Sequence, residues 1–534
     1  MTQPKTVTSR RCSACASIAL MAAATILGLT TTTPVTARAA DVLFSFKATT
    51  SSGNNPDGTL LRDASGALYG ATHFGGYFSG TYSYSGTLFK MSPPAPGQAK
   101  WTFSVLHSFL GDPDGANPNS SLVMDAHGSL YGTTFTGGDP TIDQGLVYKL
   151  TPPAPGTTKW TLNVLHAFHY SFVYKLNDGS SPQAGVIMDK NGALYGTTVF
   201  GGSTADPSAV GYGTVFKLTP PAPGQTQWTE TVLYRFAGGS DGAHPSAELA
   251  LDNSGNLYGT TSDGGSGSCL DANGFYVTGC GTVFTLTSPA PGQTRWTKKT
   301  LNRFTGGTDG GRPKGKLLLD KSGALFGTTF QGGTGTCTDP YLHVIHCGVA
   351  YKLSPPAPGY TNWTRSVLHM FNGGSDGSAP QGGLIADSAG HLYGSASVGG
   401  THGNGLAFML SPPAPGQTTW TETVLDDFYT LADGDTPVGE LVRDDAGDLF
   451  GVNYNGGPDN GSIFEIKPQR WRYRHVAQAV EPDNVGPPVA IGIATAHDQP
   501  SPPSGPWGFR RPWQSACRRW ISSTSTPERR RCST

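Results

Sequence analysis

GNLYGTTSDGG, residues 255–265, continued after a gap by GTVFTL, residues 281–286, is the stretch from which the rest of the chain can be read. Its aromatic–glycine pair recurs at Tyr69-Gly70, Tyr131-Gly132, Tyr195-Gly196, Tyr258-Gly259, Phe326-Gly327, Tyr393-Gly394 and Phe450-Gly451. Seven copies spaced 57–68 residues apart signal a solenoid, a propeller or another repeat array. The fourth copy shows the unit in full. PSAELALD (245–252) predicts a first strand, and Asp252 to Gly255 a tight turn, with Asp bonding its own backbone and Gly supplying positive φ. NLYGTT (256–261) and GTVFTL predict a second and a third strand around a Gly-rich loop. SPAPGQTRW (288–296) is a stiff connector, because proline cannot donate to a ladder. KKTLNRF (298–304) is the fourth strand, and TGGTDGGRP (305–313) leads into the next unit.

Four short antiparallel strands per unit and seven units predict an all-β fold, a seven-bladed β-propeller of four-stranded blades. A linear solenoid would need polar capping repeats, and the first and last units are ordinary ones. The chain begins with a fourth strand that no preceding unit owns: VLFSF (42–46) repeats VLHSF (105–109). Unit seven runs ELVRD (440–444), DLFGVN (448–453) and SIFEI (462–466), and then lacks its connector. We therefore expect VLFSF to pair with SIFEI and close the ring, removing two exposed sheet edges. WRYRHV (471–476) is the competing strand.

Composition sets further bounds. Gly 74 and Pro 41 recur at fixed places in each unit, so they read as turns and not as disorder. Residues 1–40 carry Lys5, Arg10, Arg11 and Arg38 and no acid, and residues 470–534 carry ten arginines against four acids. With a net charge of −1, the repeat region between them is acidic, which argues against nucleic-acid binding. Residues 1–39 read as a signal peptide: a basic start, the apolar SIALMAAATILGL, too short for a ~20-residue span, and the small-x-small site Ala37-Arg38-Ala39. The mature chain would begin near Ala40 and carry no transmembrane segment. Residues 40–467 form the propeller, and residues 468–534 a basic Pro/Arg/Ser-rich tail expected to be largely disordered.

The run G-x-LYGTT, a GG loop and GTVFKL resembles the GloVer repeat of the choice-of-anchor tandem-repeat proteins, over residues 41–467. The P…LALD-x-x-G-N-LYG order is more distantly similar to a blade of NHL-like propellers. The resemblance implies an exported bacterial surface or extracellular protein, often tethered by a C-terminal sorting signal. Residues 477–534 depart from that pattern, with no apolar segment and no LPxTG-like motif. The NHL-like order places the LALD strand innermost and the strand after the connector outermost. GG loops and DG-x-x-P loops then share one face of the disc, where ligand binding is expected.

The DG loops put Asp57, Asp114, Asp178, Asp241, Asp309, Asp376 and Asp433 at equivalent positions. Ordinary Asp-Gly turn chemistry explains them, and a carboxylate ring for Ca²⁺ is the sharper reading. Ser240 and Ser375 lie in G-x-S-x-G matches, but between strands, where a nucleophile elbow needs a strand-to-helix turn. Cys269 and Cys280, and Cys337 and Cys347, flank the GG loops of units four and five and are expected to form disulfides in an oxidising compartment. Cys337, His343, His346 and Cys347 as a zinc site would have a non-standard spacing. His107, His166 and His369 share their place with Tyr234, Asn302 and Asp426, which reads as a solvated outer face. Trp101, Trp160, Trp228, Trp296, Trp363 and Trp420 are expected to pack on the connector prolines; a sugar-stacking array is the alternative. No catalytic residue and no cofactor emerge. The expected function is binding of a glycan or protein ligand by a secreted or surface-bound monomer, with an extracellular polysaccharide lyase or hydrolase as the alternative.

Overall fold

Each repeat folds as the meander its glycines and prolines dictate. A computed structural model describes residues 40–47, 51–76, 85–118, 121–138, 143–169, 178–202, 211–270, 274–338, 344–429, 434–456 and 460–467. The readings of 1–39 and 468–534, WRYRHV included, and of Asp433 and His343 lie outside these residues. Blade one comprises Asn54–Arg62, Leu68–Phe74, Thr87–Ser92 and Thr102–Ser108, hydrogen-bonded in that order. Blades two to six repeat it, and all ladders are antiparallel. Seven such blades stand around a central channel, a seven-bladed propeller with no α-helix among the described residues. No described helix is long and apolar enough to cross a membrane.

Blade seven is completed from the other end of the chain. Asp41–Ser45 pairs with Ser462–Ile466 in the register Val42↔Phe464 and Phe44↔Ile463, with a bulge between. The outer strand of blade one carries the same bulge, between Leu88↔His107 and Phe89↔Val105. The last Phe of this motif is buried in all seven blades, and Phe46 N–H donates to the Gly461 carbonyl as Phe109 N–H does to Gly86. The ring is therefore closed by the N-terminal strand. Glu440 N–H of blade seven donates to Thr59 Oγ1 of blade one at 2.9 Å.

The inner strand is shorter than expected in the middle blades. In blade four its ladder covers only Ala250–Leu251, whereas in blade one it runs through Pro56 over Asn54–Arg62. Thr197, on the second strand of blade three, donates to the Ala247 carbonyl of the next blade.

The apolar core lies between blades. Tyr69 and Ala71 of blade one share a cluster with Leu130, Leu146 and Tyr148 of blade two, and Phe450 and Ile463 of blade seven share one with Leu60 and Phe89 of blade one. The aromatic–glycine pair follows from this packing. A Cβ on Gly70 would come within 2.5 Å of the Phe89 ring tip, and one on Gly259 within 2.7 Å of Phe284. The third-strand aromatic occupies the space a side chain would need. Tyr69 meanwhile donates to Asp63 Oδ2 at 3.0 Å, and Asp63 Oδ1 accepts the backbone N–H of Ser65 and Ala67, so aromatic and turn lock each other.

The six tryptophans are partly buried against these inter-blade clusters. Trp228 meets Tyr131, Trp296 meets Tyr195 and Trp101 meets Phe450, each the second-strand aromatic of the preceding blade, at centroid distances of 5.8–6.3 Å. Each such contact takes apolar ring surface out of water.

Candidate functional site

The inner strands converge on the channel axis, and only small residues fit where they meet. A Cβ on Gly382 would lie 1.9 Å from the Gly439 carbonyl oxygen, and one on Gly439 2.5 Å from that of Gly58. Just beyond each DG-x-x-P loop, the strands frame a cavity of about 190 Å³ lined by Asp57, Gln183, Ser246, Glu248, Lys314, Lys316, Gln381 and Glu440 among others. Deeper in, the wall turns apolar at Ile187, Ala250, Leu318 and Ile385. Lys316 Nζ lies 2.5 Å from Glu248 Oε1. Burial works against the Lys316 charge, but Glu248 and then Glu440 hold its pKa above the ordinary lysine value. Burial pushes the Asp57 carboxyl up to about 6, against the Gly58 N–H and the Lys314 charge. Burial likewise raises Glu440 to about 7, with Lys316 opposing and Glu248 adding to the shift.

Asp57 is therefore not one of the DG-loop ring. Pro56, and not a residue after Asp57, matches Pro118 and Pro182, so Ser52-Gly53 takes the Asp-Gly place in the first unit. The Asp57-Gly58 dipeptide sits further on, in the inner strand at the channel.

Asp114, Asp178, Asp241, Asp309 and Asp376 do occupy equivalent places, and each is engaged by the protein's own groups. Each accepts a backbone N–H from the residue after the outer-strand Phe: Leu110, His169, Ala237, Thr305 and Asn372. Each except Asp309 also meets the outer-strand side chain seven or twelve places earlier. His107 Nε2 lies 2.9 Å from Asp114, His166 Nε2 3.1 Å from Asp178, and His369 Nε2 2.9 Å from Asp376, while Tyr234 donates to Asp241 at 2.9 Å. The histidines are thus half-buried at a blade joint and do not form a solvated face. The next blade supplies a third member: Lys298 to Asp241 at 2.7 Å, Arg365 to Asp309 at 3.2 Å, and Glu422 near His369 at 3.9 Å. Among the described residues, His369, Asp376 and Glu422 are the one trio of metal-ligand type with ligand atoms within 4.8 Å of one another. Burial and the adjoining Asp376 push the Glu422 carboxyl up to about 9.

Both disulfides form: Cys269–Cys280 and Cys337–Cys347, each with Cα atoms 5.2 Å apart. The second consumes both thiols of the zinc alternative. The first staples a hairpin, Ser268–Leu270 with Tyr276–Thr278, that stands on the loop face. Its tip residues Phe275 and Tyr276 are 70% and 77% exposed. Also exposed towards the same face are Phe74, the last residue of its strand, and Leu110 and Tyr429 on the loops that follow the outer strands. Ser240 and Ser375 sit in short 3₁₀ turns, Gly239–Asp241 and Gly374–Asp376, between strands. Neither place is a strand-to-helix elbow.

The channel-mouth residues had one usable sequence signal, a place one or three residues after the loop proline. The trio at each joint had a fainter one, because its third member comes from the following repeat.

No curated protein matches the chain. The family model of the Gloeobacter/Verrucomicrobia repeat matches residues 24–270, 143–338 and 343–495, most of the length. With the seven recurrent units and the closed ring, the chain belongs to the Gloeobacter/Verrucomicrobia repeat family.

Proposed function

We propose that the protein is an exported binding propeller that holds a hydroxyl-rich glycan on its loop face, over the channel mouth. The observation that carries this reading is that one face combines two features sugars need. The channel mouth offers neutral donors and acceptors at Gln183, Ser246 and Gln381 beside the Glu248–Lys316 pair. The same face carries exposed rings at Phe74, Phe275, Tyr276 and Tyr429, the kind of surface on which the apolar face of a pyranose can stack. Two disulfides support the exported setting, because such bonds persist in oxidising compartments. A glycan-array screen followed by calorimetry tests the reading. Lys316→Met and the pair Phe275→Ser with Tyr276→Ser should each weaken the best hit about ten-fold or more. Absence of any hit, or a hit indifferent to both variants, refutes it.

A second reading has one specific observation behind it. Asp57 and Glu440, with carboxyl pKa values raised to about 6 and about 7, are placed to exchange protons near neutrality. Release of new reducing ends from plant or bacterial polysaccharides, lost in Asp57→Asn or Glu440→Gln, would replace binding by catalysis.

A further inference from the structure

The blade joints share one layout, and at one of them a backbone nitrogen stands where the others use a side chain. The third member of each joint is the outer-strand residue two places before the Val-Leu or Thr-Leu pair: Phe103, Leu162, Glu230, Lys298, Arg365 or Glu422. In blade seven the outer strand is Asp41–Ser45, and its register and bulge match those of blade one. Counting back two places from Val42 gives Ala40. Its nitrogen lies 3.2 Å from Asp426 Oδ1, with both residues buried, at 7% and 3% exposure. Asp426 takes the place that His107, His166, Tyr234, Asn302 and His369 take in blades one to five. At two of those joints a cationic side chain answers the DG-loop acid, Lys298 for Asp241 and Arg365 for Asp309, while the DG-loop acid of the Asp426 joint, Asp433, lies outside the described residues. At the Asp426 joint the corresponding residue is alanine, which brings no charge of its own.

The peptide bond before Ala40 is also the one that Ala37-Arg38-Ala39 marks for signal peptidase. We propose that export processing adds a cation to this joint. Water adds across the Ala39–Ala40 bond, Ala39 leaves as a carboxylate, and the Ala40 amine takes up a proton. The resulting α-ammonium pairs with the Asp426 carboxylate and fastens the closing strand to blade six. An α-amine is mostly protonated at neutral pH, with a pKa near ~8, and a charge-assisted bond is roughly twice as strong as the neutral amide contact it replaces. Cleavage acts on the chain before it folds, so the burial of Ala40 in the finished ring is no obstacle. The ring thus closes more firmly after cleavage than before it.

This proposal rests on the export reading, and the experiment separates the two. The full chain, leader included, is expressed in a secreting bacterial host and its N-terminus is sequenced. Ala40 is the expected first residue; any other start overturns the processing site and weakens the export reading with it. Thermal unfolding is then compared between the chain starting at Ala40 and one with a Ser-Gly extension before it, each with Asp426 and with Asp426→His. Histidine is chosen because three other joints hold it at that place, so the fold should persist. The free start should raise Tm by about 2–4 °C over the extended chain, and Asp426→His should erase the difference. Equal Tm values, or a difference that survives Asp426→His, overturn the ion pair and leave the export reading untouched.

Discussion

Lys298 Nζ of blade four reaches 2.7 Å from Asp241 Oδ1 of the loop that ends blade three. The lysine side chain is only 4% exposed and lies over the Tyr234 and Phe236 rings. Burial pulls its ammonium pKa down, and Asp241 holds it up. The carboxyl of Asp241 stays below its ordinary value: burial acts to raise it, and the Lys298 bond with the Ala237 N–H outweighs that.

Removing one partner of such a pair strands the other charge. Lys298→Ala should cost about 3–5 kcal/mol in chemical denaturation. Lys298→Met combined with Asp241→Asn should recover most of that, because no charge is then left buried. A double variant as weak as Lys298→Ala would mean that the lysine acts through its packing alone.

Glu422 predicts a pH dependence of the opposite kind. Its carboxyl pKa rises from 4.5 to about 9 in the folded state, through burial first and then Asp376. Between those values the folded chain binds more protons than the unfolded one, so stability falls as pH rises from about 4.5 to about 9. Asp376, lowered to about 2 although burial opposes the shift, adds stability above its ordinary 3.8 that is lost as pH falls toward 2. Glu422→Gln should stabilise the protein on the order of 2–4 kcal/mol at pH 8 and little at pH 4. Unfolding curves at both pH values decide it; a variant that tracks the parent at both would show that the two acids do not share a proton.

What the chain discloses on its own follows from how local each interaction is. The Asp63–Tyr69 lock spans six residues and recurs, and the closing strand repeats its sister motif, so blades, turns and ring closure were all readable. The joints were not, because Lys298 meets an acid 57 residues earlier, and that pairing exists only once the ring has formed. His107 therefore looked solvated although Asp114 was seven places away. Asp57 was misplaced for a different reason: Asp-Gly occurs in two registers relative to the loop proline, and only the proline marks the true one. The channel cavity collects residues from several repeats, none with a distinctive neighbour, so nothing short of the ring assembles it.

The glycines at the axis and at the turns should respond differently to the same substitution. At Gly382 a Cβ would meet the Gly439 carbonyl at 1.9 Å, backbone against backbone, and two blades would have to separate. At Gly390, φ is +87° and nothing lies within 4 Å. Gly390→Ala should cost about 1–2 kcal/mol, the penalty of left-handed backbone for an L-residue. Gly382→Ala should cost more than that, about 3 kcal/mol, or prevent the ring from closing. Equal losses in parallel denaturation would mean that the inner strands can move apart at little expense.

The Cys269–Cys280 bond should matter to the hairpin more than to the ring. Its sulfurs pack on Gly306 and Gly311, where a Cβ would come within 2.7 Å of a sulfur. Leu270 is tied to blade five from both sides, its N–H donating to Gln331 Oε1 at 3.2 Å and its carbonyl accepting Gln331 Nε2 at 3.0 Å. The hairpin therefore has two anchors, and reduction removes the covalent one. A loop of about a dozen residues held by a disulfide gains about 3 kcal/mol of ordering, and here that ordering positions Phe275 and Tyr276. None of the blade ladders uses these cysteines, so Cys269→Ala with Cys280→Ala should leave the main unfolding transition of the ring nearly in place. Protease cleavage near the hairpin tip should accelerate several-fold or more, and affinity for a glycan that contacts the tip should fall with it. Adding Gln331→Ala should release the second anchor and accelerate cleavage further. Unchanged cleavage in the cysteine variant would mean that the Gln331 bonds alone hold the hairpin.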